Sequence, residues 1–269
     1  LDPTNVDHAR RMITALIVSA EFFGMESPDE ALAAIGRASG IADDAFGAES
    51  LQAALVQVRL ASTMTTYRDF EGSARNFAAA IPVLEAQLGD NHSSTISALN
   101  NLGYLYSFNG EYGKAERTHR ALLERNIAKH GPVHQAVADS YQNLASAINE
   151  QGRYDESIPL HRSAYEIYRE IFNDEHYMIA FPLMSIAKVE LRRGGGQAAE
   201  AVSREALKRL EATAPGTFLE GVARCLVGLS LEQQGAKAEG AALVESSHAL
   251  MTTGNIPDPY PELCRVPPK

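Results

Sequence analysis

One interval of 42 residues recurs along this chain and constrains its fold more than any other feature. Three related tripeptides keep that interval: Asn-Leu-Gly at 101–103, Asn-Leu-Ala at 143–145 and Ser-Ile-Ala at 185–187. A period of 20 to 50 residues is typical of repeat proteins, in which each unit buries its apolar face against its neighbours. The spacing therefore predicts a stack of similar units rather than one globular core.

Each unit has the pattern of two amphipathic helices. In residues 95–130, apolar residues recur at i, i+4, i+7 and i+8 from Ala98, which predicts a first helix. Gly110 would end it, because glycine tolerates the left-handed backbone at a helix terminus. A second amphipathic stretch runs from Tyr112 to about Lys129. Recurrence of this unit predicts an all-α solenoid of antiparallel helix pairs.

Weaker forms of the unit extend the pattern in both directions. Upstream, Leu60 and Phe70 keep register with the unit at 95–130, although Arg68 stands where the turn glycine is expected. We therefore expect three regions, which are a degenerate N-terminal capping helix pair at 1–49, a solenoid of about five repeats at 50–252 and a proline-rich tail at 253–269.

The combined pattern resembles a known family. The order Leu-Gly/Ala-x-x-Tyr followed by Gly-x-Tyr-x-x-Ala, over residues 50–250, resembles the tetratricopeptide repeat. Its 42-residue spacing is similar to that of the longer variety in kinesin light chains, whose linker usually reads Leu-Gly-x-x-His-Pro. Here Ser93, Gln135 and Tyr177 replace that proline. The resemblance implies a right-handed superhelix with the first helix of each unit on its concave face.

Composition and motifs narrow the function. A net charge of −10 argues against nucleic acid and anionic membranes as partners. No apolar run is long enough for membrane insertion. Gly-x-Ser-x-Gly, phosphate-loop and His-Glu-x-x-His motifs are all absent. We therefore expect a non-catalytic cytoplasmic protein with no cofactor and no metal.

Histidines and cysteines offer no metal or disulfide site. His92, His134 and His176 follow the 42-residue interval. One repeat translates each of them by about 10 Å, whereas zinc ligands lie about 2 Å from the metal. We expect these histidines to cap or brace the helices that follow. Cys225 and Cys264 lack metal-ligand spacing, and we expect no disulfide between them.

The candidate site is a peptide-binding groove on the predicted concave face. Amide side chains recur there, at Asn100, Asn101, Gln142 and Asn143. Such groups can pair with the backbone of an extended peptide. In the kinesin light chain resemblance, the asparagine of the Asn-Leu-Gly/Ala motif contacts cargo backbone, a role that falls on Asn101 and Asn143. The alternative is that both asparagines only support helix packing.

Charged and aromatic residues at neighbouring positions suggest the chemistry of the ligand. Arg59, Lys188 and Arg192 place positive charge on this face of an acidic chain, and Tyr104 adds apolar surface. An acidic or carboxylate-bearing peptide would complement them.

Two other functions remain open at the level of sequence. The chain begins with Leu1 rather than Met, so we expect a fragment of a longer protein. It would then be a sensory or regulatory domain of a bacterial signalling kinase or transcription regulator, binding a small ligand or mediating dimerisation. A homodimer would use the apolar segment from Ile13 to Phe23.

Overall fold

The fold is built entirely from helices in the part of the chain that the structure describes. A computed structural model describes residues 6–23, 27–172 and 176–252, which contain twelve α-helices, one 3-10 turn at Tyr177–Ile179 and no strand. The α-helices, in chain order, are α1 Val6–Phe23, α2 Pro28–Phe46, α3 Leu51–Thr66, α4 Phe70–Leu88, α5 Ser93–Phe108, α6 Tyr112–His130, α7 Gln135–Asn149, α8 Tyr154–Phe172, α9 Ala180–Arg192, α10 Gly196–Thr213, α11 Phe218–Gln233 and α12 Lys237–Thr252.

The helices form sequential pairs, as the repeat pattern predicts. Helix α1 packs on α2, α3 on α4, α7 on α8, α9 on α10 and α11 on α12. Contacts also join first helices of successive pairs, α3 with α5, α7 with α9 and α9 with α11. The chain separates into two compact units, residues 1–129 (unit 1) and 130–269 (unit 2). The all-α solenoid of helix pairs is therefore confirmed.

Small residues allow the paired helices to approach closely. Unit 1 has a core around Phe77, Leu84 and Leu105, all fully buried, with alanines at several of the remaining core positions. Unit 2 has a comparable core around Leu210 and Leu226. Alternation of large aliphatic side chains with alanine lets one helix surface interdigitate with the next.

The turns within the pairs share one backbone conformation. Four glycines at equivalent turn positions have φ between 74° and 95°: Gly110, Gly152, Gly194 and Gly235. In the α5–α6 turn the N–H of Glu111 donates to the carbonyl of Tyr106 at 2.8 Å. This six-residue closure is the Schellman motif, which requires a left-handed residue.

Arg68 adopts the glycine conformation in the α3–α4 turn. Its φ is 66°, the one positive value at a non-glycine residue in the described parts of the chain. The N–H of Asp69 donates to the carbonyl of Met64 at 2.9 Å, which is the same closure. A side chain in this region costs about 1 kcal/mol relative to glycine. The turn therefore forms in spite of Arg68 rather than because of it.

The repeated histidines are helix caps, as expected from the sequence. Nδ1 of His92 accepts the N–H of Ser94 at 3.2 Å, and Nδ1 of His134 accepts the N–H of Ala136 at 3.1 Å. His176 caps the 3-10 turn in the same way, at 3.2 Å from the N–H of Met178. Each cap pairs one of the N–H groups that a helix leaves unbonded in its first turn.

Replacing one of these caps has a predictable effect on stability. We expect His92→Ala to lower the free energy of unfolding of unit 1 by about 1 kcal/mol, because the first turn of α5 loses its side-chain acceptor. His92→Asn should retain most of the stability, because asparagine is a favoured N-cap. Urea unfolding followed by circular dichroism measures both. An equal loss in the two variants would contradict the capping role.

The apolar segment from Ile13 to Phe23, where a homodimer contact was expected, lies in α1. Ile13 is buried against α2, while Val18 and Phe22 are exposed.

The expectation of no disulfide is wrong for Cys225, which is disulfide-bonded. Cys264 and the tail predicted at 253–269 lie outside the described residues. None of the described helices combines the length and hydropathy needed to cross a bilayer.

Candidate functional site

In unit 1, the candidate site centres on a contact between two first helices. Asn101 on α5 donates from Nδ2 to Oγ of Ser62 on α3 at 3.3 Å. Both side chains are half-buried. Asn101 thus lies between adjacent repeats, at the place where the resemblance assigns a peptide contact, and it also helps to join the two helices.

Two cavities adjoin at this contact, and Ser62 and Asn101 line both. The larger has a volume of about 520 Å³ and is lined by Ser62, Thr65, Thr66, Arg68, Phe70, Asn101, Tyr104 and Phe108. The smaller has a volume of about 340 Å³ and is lined by Leu55, Val58, Arg59, Ser62, Leu84, Ser93, Ser94, Ser97 and Asn101. We call the larger one the turn cavity, because Arg68 belongs to the α3–α4 turn.

The hydroxyl groups of the turn cavity can accept hydrogen bonds from a ligand. Ser62 donates to the carbonyl of Val58 at 2.9 Å, and Thr66 donates to the carbonyl of Ser62 at 3.2 Å. Thr65 bonds the carbonyl of Ala61 at 3.0 Å. Thr65 also hydrogen-bonds to the hydroxyl of Ser73, and Ser62 already accepts from Asn101. Because the hydrogens of Ser62 and Thr66 point to the backbone, each of these two oxygens keeps a lone pair that can accept an N–H from a ligand.

Aromatic side chains give the turn cavity an apolar rim. Phe108 is 73% exposed and Tyr104 is 42% exposed. The Tyr104 ring also meets the buried His119 ring edge-on, with centroids 6.0 Å apart. That contact braces the tyrosine against α6 while its outer surface stays accessible.

The positive charges predicted for the site are not equally available. Arg59 forms an ion pair with Glu21 of α1, with Nη2 and Oε1 3.2 Å apart. In unit 2, Arg192 forms an ion pair with Glu150, with Nη1 and Oε1 2.5 Å apart. The sequence predicted that both arginines lie on first helices, but it did not predict their carboxylate partners. These carboxylates offset two of the three positive charges that were expected to attract an acidic ligand.

In unit 2, the predicted residues lie around a buried histidine. Gln142 on α7 hydrogen-bonds through Oε1 to Nδ1 of His161 on α8. Burial, together with the charge of Lys188, lowers the pKa of His161 to about 3. The neutral ring can therefore donate from Nδ1, and the Gln142 amide is committed to packing.

Lys188 is the electrostatically unusual group of unit 2. It is half-buried on α9. Burial lowers its pKa to about 8, and the charge of Arg192 lowers it further, whereas Glu150 opposes the shift. A substantial share of this amine is therefore neutral near pH 8.

The four amide side chains predicted for the groove do not share one environment. Asn101 lines both cavities of unit 1, whereas its neighbour Asn100 is half-buried and is not among the lining residues. Asn143 is half-buried on α7 beside Gln142.

Arg68 lines the turn cavity but was not predicted as a site residue from the sequence. The sequence pattern that could have identified it is an arginine at a position where the other repeats have glycine.

A metal centre is not formed by the described residues. Among residues 6–23, 27–172 and 176–252, no three His, Cys, Asp or Glu side chains come close enough to hold an ion.

Comparison with known proteins points to one family of repeats. Models described as tetratricopeptide repeat match residues 95–136 and 134–212. None of the curated proteins matches the chain.

Solved structures of similar fold are distant in sequence. A kinesin light chain with nearly identical TPR-like repeats from Podosopora anserina is 16% identical, with a TM-score of 0.64 over 72% of this chain and 92% of its own. BtubC (BKLC) from P. vanneervenii is 14% identical, with a TM-score of 0.64 over 93% and 94%. A signal transduction ATPase with a tetratricopeptide repeat sensor, from Pyrococcus horikoshii, is 12% identical, with a TM-score of 0.71 over 89% and 36%.

Proposed function

We propose that this chain, whose residues 95–136 and 134–212 match tetratricopeptide-repeat models, is a repeat protein of the kinesin-light-chain-like type and a non-catalytic scaffold that binds an extended peptide along the first helices of its repeats. Tetratricopeptide repeats are generally interaction modules that lack enzymatic activity. Helix pairs stacked in register present side chains at regular intervals, which suits an extended partner.

The position of Asn101 carries this proposal. Its amide lies at the junction of two first helices and borders both cavities of unit 1. One Nδ2 hydrogen is directed at Ser62, which leaves a second hydrogen and the Oδ1 lone pairs for a ligand. A peptide backbone needs both a donor and an acceptor once it leaves water. The helix-packing role and the binding role are therefore compatible in one residue.

The proposal predicts a loss of binding when the two motif asparagines are removed. Peptides selected from a random decapeptide library on the wild-type chain should bind Asn101→Ala/Asn143→Ala at least about tenfold more weakly, because each lost backbone contact costs about 1 kcal/mol. Fluorescence anisotropy measures the affinity, and circular dichroism confirms that helicity is retained.

Asn91→Ala is the matched control, because Asn91 is exposed in the linker before α5. It should leave the affinity unchanged. Selection of no binding peptide, or equal affinity for the wild type and the folded double variant, would contradict the proposal.

The turn cavity also supports a second function, a sensory module that binds a small ligand. Its volume of about 520 Å³ falls in the range of small-molecule sites. The sensory alternative predicts that a free small molecule binds without any peptide attached. Competition between selected peptides and free amino acids would distinguish the two functions.

A further inference from the structure

We propose that the turn cavity of unit 1 binds the C-terminal residue of a peptide, with Arg68 holding the α-carboxylate and the aromatic rim holding an apolar side chain. The inference rests on the proposed scaffold function and names the class of partner. It also assigns a direction to the peptide, whose end lies at the α3–α4 turn.

The first support is the unfavourable backbone of Arg68. Four other turns at equivalent positions have glycine, and the α3–α4 turn makes the same closing hydrogen bond without any help from the arginine side chain. Glycine would adopt the backbone conformation of this turn at a lower energy than arginine does. Residues kept in such conformations tend to occur at functional sites. Here the strained residue lines a cavity.

The second support is that the guanidinium of Arg68 is available. Among the residues that the structure describes, no ion pair or side-chain hydrogen bond engages it, whereas Arg59 and Arg192 are paired with Glu21 and Glu150. A guanidinium offers five donors in a planar fork that matches a carboxylate. In unit 1 the group best placed to receive an anion is therefore Arg68 rather than Arg59.

The third support is the chemistry of the remaining walls. Phe70, Tyr104 and Phe108 provide apolar surface beside Arg68, and the oxygens of Ser62 and Thr66 can accept an N–H. A ligand that satisfies this set must present a carboxylate, an N–H and an apolar side chain close together. A C-terminal apolar residue carries all three on one Cα, whereas an internal aspartate or glutamate lacks the apolar group.

The test compares labelled pools of random hexapeptides that end in Phe. One pool is made as the free acid and the other as the C-terminal amide, and a third pool ends in Asp amide. We expect the wild type to bind the acid pool at least about tenfold more tightly than either amide pool, as expected for loss of a charge-assisted bidentate contact.

Arg68→Gly should abolish the preference for the acid pool. The variant should fold at least as well as the wild type, because glycine suits a φ of 66°. Arg75→Gln is the charge-matched control, since Arg75 lies on α4 paired with Glu71 and does not line the cavity. It should keep the preference. Phe108→Ala should weaken binding of the acid pool several-fold.

The outcomes separate this inference from the scaffold function. Equal binding of acid and amide pools, or a preference that survives Arg68→Gly, would overturn the C-terminal assignment. If such binding were still lost in Asn101→Ala, the scaffold function would stand. Binding of no pool would overturn both. Tight binding of free N-acetyl-phenylalanine, equal to that of the acid pool, would replace the peptide by a small molecule.

Discussion

Gly228→Ala is expected to lower the free energy of unfolding of unit 2 by about 2 to 3 kcal/mol, the upper range for overpacking a core. A Cβ on Gly228 would lie 2.7 Å from the carbonyl oxygen of Gly240 and 2.8 Å from Cγ2 of Val244. The first of these atoms belongs to the backbone of α12, so relief requires α11 and α12 to move apart. These two helices share a long contact, and separating them exposes part of the core.

Gly36→Ala is the control for this substitution. Gly36 lies inside α2, and nothing lies within 4 Å of the position of its Cβ. Without a clash, the change should stabilise unit 1 by roughly 0.5 to 1 kcal/mol, because alanine loses less backbone entropy than glycine in a helix. Urea unfolding by far-ultraviolet circular dichroism measures both variants. A neutral or stabilising Gly228→Ala would show that α11 and α12 are not packed as described.

Acidification should destabilise both units through two buried histidines. Burial lowers the pKa of His119 to about 4, and burial with the charge of Lys188 lowers that of His161 to about 3. The ordinary value of 6.5 applies to the unfolded chain. Below pH 6.5 the unfolded chain therefore takes up protons that the folded rings do not bind. Stability is full above pH 6.5, and by pH 5 the loss is roughly 2 kcal/mol per histidine.

His119→Leu tests the contribution of one ring. Nδ1 of His119 is buried and has no hydrogen-bond partner among the described residues, so an apolar side chain leaves no new unpaired group. We expect the loss of unit 1 stability between pH 7 and pH 5 to shrink by about 2 kcal/mol. An unaltered profile in His119→Leu would contradict the assignment.

Local features were predictable because they depend on residues close in sequence. Gly110 and Gly152 end first helices as expected, since a left-handed closing residue is a local requirement. His92 and His134 cap the helices that follow them, two residues from the N–H groups that they accept. Both patterns repeat every 42 residues, so each repeat supports the interpretation of the others.

The site was predictable only in part, because charge and hydrogen bonding depend on neighbours distant in sequence. Arg59 was expected to offer its charge to a ligand, yet Glu21, 38 positions earlier, lies beside it. Gln142 was expected to face a peptide, yet it bonds to His161 on the next helix. Conversely, in the sequence Arg68 was interpreted only as a replacement of the turn glycine that the other repeats have. Only the cavity that it lines gives that substitution a chemical role.

The sequence by itself determined the class of fold, because a 42-residue period of apolar, glycine and histidine positions specifies helix pairs through local rules. The tertiary structure decided which polar groups remain available for a partner. Ion pairs between α1 and α3 and between α7 and α9 bring carboxylates to two arginines, whereas the α3–α4 turn leaves a third arginine beside an open cavity. Availability is a property of neighbours in space, and the order of residues along one helix does not contain it.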